Sequence, residues 1–200
     1  MNSKRRILTA AIQEFSEYGF AGARMERISD RAGINKAMIF YYYDSKQNLY
    51  QAAIKHGIEG IFPKMRDLIL LEGNPQTFLE KLPRLYISFF RENKAFVRMI
   101  SFNFLQYQDT VESAFQQFFS GRKAVGPRLF RRKIETWYAE GKINEPDPVQ
   151  FIVNVVSLCL FFIVARPILE AILKTDTDTE AFFEARIRSV VNVLKRGMLA

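Results

Sequence analysis

The chain is poor in the residues on which most catalytic and metal sites depend. Its 200 residues include one cysteine, one histidine and one tryptophan. A single thiol forms no intrachain disulfide, and Cys159 and His56 are too few for a cysteine–histidine zinc cluster. The sequence also contains no GxSxG, GxGxxG, Walker or HExxH pattern. These absences argue against an enzyme, and we expect no metal and no other cofactor.

Patterns that direct a chain into or across a membrane are weak as well. Three basic residues at positions 4–6 resemble the start of a signal peptide, but the apolar stretch after them is short and meets Gln13 and Glu14. The most apolar run, 149–165, is interrupted by polar residues, which favours a buried helix over a membrane span. The lone Cys159 is read as a buried small hydrophobe, with a redox-sensing thiol as the alternative. We therefore expect a cytoplasmic protein with no membrane partner.

Positive charge and aromatic side chains are abundant instead. Lys and Arg number 29 against 21 Asp and Glu, a net charge of +8, and there are 19 Phe and 8 Tyr. A basic surplus is typical of proteins that bind polyanions, although a basic enzyme without such a partner has the same composition. The surplus is densest in residues 1–46, which hold eight basic and five acidic residues. Within them, the basic residues at 4–6 form either an arm that reaches DNA or a solvated terminus.

Apolar residues recur at three- and four-residue steps along the chain and do not alternate, so the sequence predicts an all-α fold. Gly19 and Gly33 are expected to end helices, and Pro63 and Pro167 to kink or divide them. The predicted helices span residues 4–18, 25–32, 36–42, 46–71, 76–92, 94–108, 110–120, 127–140, 147–172 and 179–198.

Residues 25–42 have the spacing of a helix-turn-helix, in which the second helix enters the major groove of DNA. On a helical wheel Met38 and Ile39 face the core of the domain. The outward residues are then Lys36, Ala37, Phe40 and Tyr41. This surface suits stacking on sugars, hydrogen bonds from tyrosine hydroxyls to phosphate, and apolar contact with thymine methyl groups.

The residues around this motif resemble the tetracycline-repressor (TetR) family. The matching positions are Arg6–Ala11, Phe15, Tyr18–Phe20, Met25, Ile28–Lys36, Ile39–Lys46 and Leu49. They cover about the first fifty residues at many fixed spacings, whereas the rest matches only in its helical layout. The resemblance implies a helix-turn-helix DNA-binding domain over 1–46, joined by a long helix to a ligand-sensing and dimerisation domain over 47–200. It also implies a homodimeric, ligand-responsive repressor that binds a palindromic operator.

By position in the family motif, the resemblance also implies which residues contact DNA. These are Arg24, Asn35, Lys36, Ala37, Phe40, Tyr41, Tyr42 and Lys46. Arg24 stands where threonine or serine is common, and Tyr42 where histidine is common, so the operator sequence does not follow from the resemblance. The lysine at the start of the fourth helix, Lys46, can hold a phosphate together with that helix's N-terminus.

Most of the aromatic surplus lies in the second domain, where 16 of the 19 phenylalanines follow residue 60. Such residues either form a core or line a pocket for a hydrophobic small molecule. The predicted pocket residues are Phe62, Met65, Phe89, Arg98, Met99, Phe102 and Tyr107. The molecule is expected to be neutral or to carry a carboxylate that binds Arg98. An alternative function is a hydrophobic-ligand carrier or a small enzyme that uses this pocket.

Two apolar helices near the C-terminus are candidates for a dimer interface. The alternative is that both are buried against their own subunit. The TetR family dimerises through its last two helices as a four-helix bundle, so the resemblance favours the interface. The predicted interface residues are Val156, Leu160, Ile187, Val191 and Leu194.

Overall fold

The computed structural model describes residues 3–103, 107–120 and 125–200, and it confirms the all-α prediction. The first five helices are α1 Ser3–Gly22, α2 Met25–Ala32, α3 Lys36–Tyr43, α4 Lys46–Leu71 and α5 Pro75–Glu92. The next five are α6 Lys94–Asn103, α7 Gln108–Phe118, α8 Val125–Ala139, α9 Pro148–Leu173 and α10 Glu180–Met198. Residues 104–106 of the predicted helix 94–108 lie outside the described residues. The described ranges contain no strand, only an isolated bridge between Ile143 and Leu199.

The helices form two compact units that alternate along the sequence. The first unit consists of Met1–Gly60 and Asn93–Gly121, and the second of Ile61–Glu92 and Arg122–Ala200. Helices α6 and α7 therefore pack with the N-terminal helices, although they are distant in sequence. The division falls inside α4, whereas the sequence predicts a domain boundary at the start of this helix. That boundary, drawn for a DNA-binding module, stays a prediction.

An aromatic cluster forms the core of the first unit. The ring of Tyr50 on α4 lies edge-on to Phe15, with centroids 4.9 Å apart, and 5.3 Å from Phe20. Phe20 in turn meets Tyr107 at 4.9 Å. Such edge-to-face pairs add to the free energy of burial. The cluster joins α1 and α4 to the chain that leads into α7, so it fixes the first helix from two sides.

Helix α1 packs most extensively on α6, and Gly19 lies against Phe102 of α6. Its backbone leaves the helical region there (φ 65°, ψ 179°), as the sequence predicted, before a last turn runs to Gly22. A Cβ atom on Gly19 would lie 2.5 Å from the Cε1 atom of Phe102. The backbone conformation therefore requires glycine at this position, and an added methyl group would also have to displace the half-exposed Phe102 ring.

We predict that Gly19→Ala destabilises the protein more than Gly141→Ala, as measured by urea unfolding. Both residues have a positive φ, near 65° and 67°, and the ψ of 179° places Gly19 in a region that essentially only glycine occupies, which costs an alanine about 1–3 kcal/mol. Only at Gly19 must a neighbouring ring also move, because nothing lies within 4 Å of the Cβ position at Gly141. Equal losses of unfolding free energy for the two variants would contradict the close contact between Gly19 and α6.

Helix α5 organises the second unit by packing on α9 and α10. Its buried face includes Phe78, whose ring lies 5.3 Å from Trp137 of α8. On its exposed side, Arg84 donates to Glu184 of α10 at 2.6 Å, and Lys195 of α10 donates to Glu80 at 2.6 Å. Because these pairs are exposed, they set the register of the two helices more than they stabilise them.

Helix α9 starts at a defined cap and runs unbroken for 26 residues. The Asp147 carboxylate accepts a hydrogen bond from the Val149 N–H at 2.7 Å, and Pro148 occupies the first turn. Pro167 lies inside the helix without ending it. Within the described residues, α9 is the one helix with the length and apolar composition of a membrane span. Cys159 on this helix is buried, and burial raises the pKa of its thiol to about 12, which favours the interpretation as a buried small hydrophobe.

Candidate nucleic-acid interface

Helices α2 and α3 form a helix-turn-helix whose turn is held by hydrogen bonds on both sides. Gly33 adopts the left-handed conformation, and its N–H donates to the Asp30 carbonyl at 3.1 Å. From α1, the guanidinium of Arg6 donates to the Gly33 carbonyl at 3.2 Å. The Asn35 side chain then caps α3 by accepting the Ala37 N–H at 2.8 Å. The start of α3 is therefore fixed relative to both α1 and α2.

Helix α3 buries one residue and exposes most of the others. Ile39 is fully buried, whereas Tyr41 is 77% exposed and Phe40 38% exposed. The wheel prediction is confirmed for Ile39 and wrong for Met38, which is 38% exposed. Eight residues make little more than two turns, and Ile39 alone fills the contact with the core, while the neighbouring Met38 lies partly in solvent. Lys36 and Ala37 are exposed as predicted.

The cation of Lys36 is not free in this arrangement. Its ammonium forms a hydrogen-bonded ion pair with Glu26 of α2 and lies 5.8 Å from the Phe40 ring. The hydrogen bond from Lys36 lowers the pKa of the Glu26 carboxyl below its usual value. A carboxylate therefore shares the surface next to the one basic residue of α3.

The C-terminal end of α3 is tied to the N-terminal end of α1. Tyr42 is half-buried with the Lys4 ammonium 5.3 Å from its ring, and the Tyr43 hydroxyl donates to the Lys4 carbonyl at 3.4 Å. Because α1 begins at Ser3, the basic residues at 4–6 lie in its first turns. An extended arm, one of the two expectations for these residues, is therefore not what the structure shows.

Arg24 and Lys46 flank the motif in different environments. Arg24 is exposed, precedes α2 with an extended backbone (φ −123°, ψ 134°) and makes no side-chain cap. Lys46 is half-buried, donates to the Ala21 carbonyl at 3.1 Å and lies 4.9 Å from the Phe20 ring. Burial lowers the pKa of the Lys46 ammonium. This hydrogen bond uses one of three donors, so Lys46 connects α4 to α1 and keeps capacity for a phosphate.

The residue that sequence reasoning missed is Glu14, a fully buried carboxylate of α1. It accepts the backbone N–H of Arg24 at 3.0 Å and the Arg27 Nε–H at 2.6 Å. Arg27 donates again to the Gly22 carbonyl at 2.7 Å. Glu14 thus acts as a capping residue for α2 that is supplied by another helix. Its signal in the sequence is an acid seven residues after Ile7, on the buried stripe of α1.

Acidic residues of α1 also engage the two arginines of α2. In the structure Arg27 is paired with Glu14, and Arg31 is paired with Glu17. The hydrogen bond from Arg31, followed by that from Gln13, lowers the pKa of Glu17 to about 2. Of the three arginines of this segment, Arg24 is the one without an acidic partner among the described residues.

We predict that Glu14→Gln lowers the free energy of unfolding by about 1.5–3 kcal/mol, because the amide keeps an acceptor oxygen but removes the negative charge that pairs with Arg27. The matched variant Glu17→Gln removes an exposed ion pair and is expected to cost much less. Urea unfolding followed by circular dichroism measures both variants. A Glu17→Gln variant that is as unstable as Glu14→Gln would contradict the role of the buried carboxylate.

The seven predicted pocket residues are divided between the two units. Phe62, Met65 and Phe89 belong to the second unit, where the Tyr86 hydroxyl donates to the Met65 sulfur at 3.1 Å. The other four belong to the first unit: Arg98, Met99, Phe102 and Tyr107. Each unit thus carries one part of the set, and a common pocket stays a prediction.

Within the first unit, most of the four residues take part in its packing. Met99 is fully buried, and its carbonyl accepts the Tyr50 hydroxyl at 3.5 Å. Phe102 is half-exposed and lies against Gly19. Arg98 is exposed, and its charge contributes to the lowered pKa of Glu17 on α1. A carboxylate is therefore already near Arg98, and its predicted role in holding a ligand carboxylate stays untested.

A second residue that sequence reasoning missed is Arg186 on α10. It is half-buried, donates to the Leu158 carbonyl at 2.7 Å and lies 5.7 Å from the Phe162 ring. Its Nε atom is buried without an acceptor, and no carboxylate pairs with it among the described residues. Burial lowers the pKa of this guanidinium. A buried donor without a partner is unusual in folded proteins, so this group is a candidate for contact with an anion.

The predicted interface residues differ in exposure. Ile187 and Leu194 are 5% and 2% exposed, so their side chains are used within the chain itself. Val156, Leu160 and Val191 are half-buried. The largest exposed apolar side chains of these helices lie at other positions. These are Val149, Val153, Phe161, Val164, Ile168, Ile172 and Leu173 of α9 and Val193 of α10.

Two protein-family models match the chain. The model described as bacterial regulatory proteins of the tetR family matches residues 7–53. The model described as the tetracyclin repressor-like C-terminal domain matches residues 75–194. The first covers the whole helix-turn-helix, and the second covers more than half of the chain.

Curated relatives and solved structures agree with these models. The chain is 24% identical over 199 residues to the HTH-type transcriptional regulator RutR of Escherichia coli K12, covering 98% of this chain and 90% of RutR. It is 29% identical over 176 residues to the HTH-type transcriptional repressor NicS of Pseudomonas putida, covering 87% of this chain and 82% of NicS. The structure of the regulator FadR from Bacillus subtilis in complex with stearoyl-CoA matches with a TM-score of 0.70 at 13% identity, covering 94% of this chain and 97% of FadR.

Proposed function

Because this chain belongs to the TetR family of DNA-binding transcriptional regulators, we propose that it is a homodimeric repressor released from a palindromic operator by a hydrophobic small molecule. The family and the curated relatives identify a regulator and not an enzyme. The observation that carries the proposal is the exposed aromatic surface of α3, held in place by the Gly33 turn and the Asn35 cap. Such a protein acts where the DNA is, in the cytoplasm.

In this proposal the eight predicted residues contact DNA in three ways. Arg24 and Lys46 hold phosphates on either side of the motif, since one is exposed and the other has unused donors. The hydroxyl of Tyr41, the most exposed aromatic of α3, reaches phosphate or a base edge. The remaining residues lie within or beside α3 and meet the groove. They are Asn35, Lys36, Ala37, Phe40 and Tyr42.

We predict that Arg24→Ala reduces the dependence of operator binding on salt. Each lost phosphate contact lowers the slope of log K against log salt concentration by about 0.9. Titrations of DNA from upstream of the gene at several salt concentrations, followed by fluorescence anisotropy, measure this slope. The matched control is Arg128→Ala, which removes an exposed cation of α8 in the second unit.

The same titration separates the proposed function from its alternative. A hydrophobic-ligand carrier that uses the helix-turn-helix only for packing would bind DNA weakly and without sequence preference. If the Arg24→Ala variant has the salt slope of the unmodified protein, Arg24 does not contact a phosphate. If the variants of Arg24, Lys36 and Lys46 all kept the salt slope of the unmodified protein, the helix-turn-helix surface would not be the DNA contact.

Two copies are proposed to pair through α9 and α10. The exposed apolar side chains of α9 recur along much of its length, and Phe161 is 70% exposed. Monomeric soluble proteins rarely expose contiguous apolar surface of this kind, and where it occurs it marks an interaction site. A two-fold dimer would place two α3 helices on successive major-groove faces, which requires a palindromic operator.

We predict that Phe161→Glu weakens the dimer about thirtyfold or more, because a charge placed in a buried interface costs about 2 kcal/mol or more. Analytical ultracentrifugation measures the dissociation constant. The matched control is Leu71→Glu, which adds the same charge at an apolar residue of α4 that is 84% exposed. A Phe161→Glu protein that dimerises as tightly as the control would exclude this face as the interface.

The proposed effector is a hydrophobic molecule, and an acidic group on it would meet Arg186 more readily than Arg98. Arg186 has a buried donor without an acceptor among the described residues, whereas Arg98 is exposed near Glu17. A protein of the same fold, FadR, binds stearoyl-CoA, which is both apolar and anionic. The effector shifts the balance between the state that binds the operator and the state that is released from it only by its difference in affinity for these two states. The contact of Phe102 on α6 with Gly19 on α1 offers a route by which a displaced α6 would move α1.

A further inference from the structure

The exposed side chains of α3 are mostly apolar, whereas most helices that bind the major groove expose hydrogen-bonding groups. Ala37, Met38, Phe40 and Tyr41 are all exposed, and the Tyr41 hydroxyl is the only polar group among them. Met38 is decisive here, because its thioether reaches further than an alanine and faces solvent instead of the core. The four residues make a contiguous apolar surface along the helix that faces DNA.

The polar groups nearby are already partly engaged. The Lys36 ammonium is paired with Glu26, and the Asn35 side-chain oxygen accepts the N–H of Ala37. The arginines of α2 that lie nearest in sequence, Arg27 and Arg31, are paired with acids. After Arg31 the sequence contains no arginine until Arg66. The side chain that most often recognises guanine, an arginine bonded to its O6 and N7, is therefore missing from α3.

An apolar surface in the major groove has one complementary feature, the 5-methyl group of thymine. We propose that the operator half-sites facing α3 are rich in thymine, and that Ala37, Met38 and Phe40 recognise them through these methyl groups. The one cation of α3, Lys36, is paired with the Glu26 carboxylate and is therefore less available to the O6 and N7 acceptors of guanine. The inference rests on the proposed DNA-binding function and specifies the chemistry of the sequence that is bound.

The first experiment is selection of binding sites by the full-length protein from a random library of double-stranded DNA. The expected product is a palindrome with runs of A·T pairs in each half-site. Thymines of the half-sites are then replaced by deoxyuridine, which keeps base pairing and phosphates and removes only the methyl group. Each contacted methyl that is lost is expected to weaken binding about fourfold. The salt slope is expected to stay unchanged, because no phosphate contact is altered.

A variant then assigns the effect to α3. Met38→Ala removes an exposed side chain, so it leaves the fold intact and shortens the apolar surface. Replacement of thymine by deoxyuridine is expected to weaken its binding less than it weakens that of the unmodified protein. The control variant is Leu70→Ala, an exposed apolar residue of α4, for which the full deoxyuridine effect is expected. Deoxyuridine placed between the half-sites is the matched control on the DNA.

Two results would overturn the inference while leaving DNA binding in place. One is equal affinity for the thymine and deoxyuridine operators. The other is selection of half-sites with guanines whose replacement by 7-deazaguanine abolishes binding. A library from which the protein enriches no sequence at all would instead overturn the proposed function.

Discussion

The buried carboxylate of Glu14 is the interaction on which the helix-turn-helix depends. It is fully buried, and it accepts hydrogen bonds from the backbone N–H of Arg24, just before α2, and from the side chain of Arg27 in α2. A buried carboxylate is costly unless hydrogen bonds and a cation compensate for the lost water, and here they come from α2 and the residue that precedes it. The position of α2 relative to α1 is therefore set by electrostatics as well as by packing. Since α3 follows α2 after a fixed turn, its orientation depends on the same carboxylate.

The carboxylates of Glu14, Glu17 and Glu26 decide which positive charges remain available to DNA. The N-terminal segment has eight basic residues, yet Arg27, Arg31 and Lys36 are each paired with an acid. Arg6 and Lys46 donate to backbone carbonyls that hold the motif together. Much of the basic surplus therefore stabilises the module, and the cations left for phosphate are few and lie at its edges. This division leaves the centre of the surface to aromatic and aliphatic side chains.

Helix α6 extends the first unit beyond the DNA-binding motif. It packs on α1, where Phe102 covers Gly19, and the Tyr50 hydroxyl is bonded to the backbone of Met99. These contacts join residues more than forty positions apart, and they leave little free space around the glycine. A small displacement of α6 would therefore act on α1 directly. In the second unit, the half-buried Arg186 and the apolar face of α9 carry the proposed effector and dimer contacts.

The sequence by itself determined the order of the helices, the helix-turn-helix and the family, because these follow from local signals. Helical periodicity, the glycines at 19 and 33 and the Asn35 cap all act within a few residues of one another. Only the tertiary structure decided how Glu14 is used, that Met38 faces solvent, and that Ile187 and Leu194 are buried within their own chain. Each of these depends on which side chain of another helix lies opposite. A helical repeat states that a residue is on an apolar stripe, but whether that stripe is already covered depends on packing between helices that are distant in sequence.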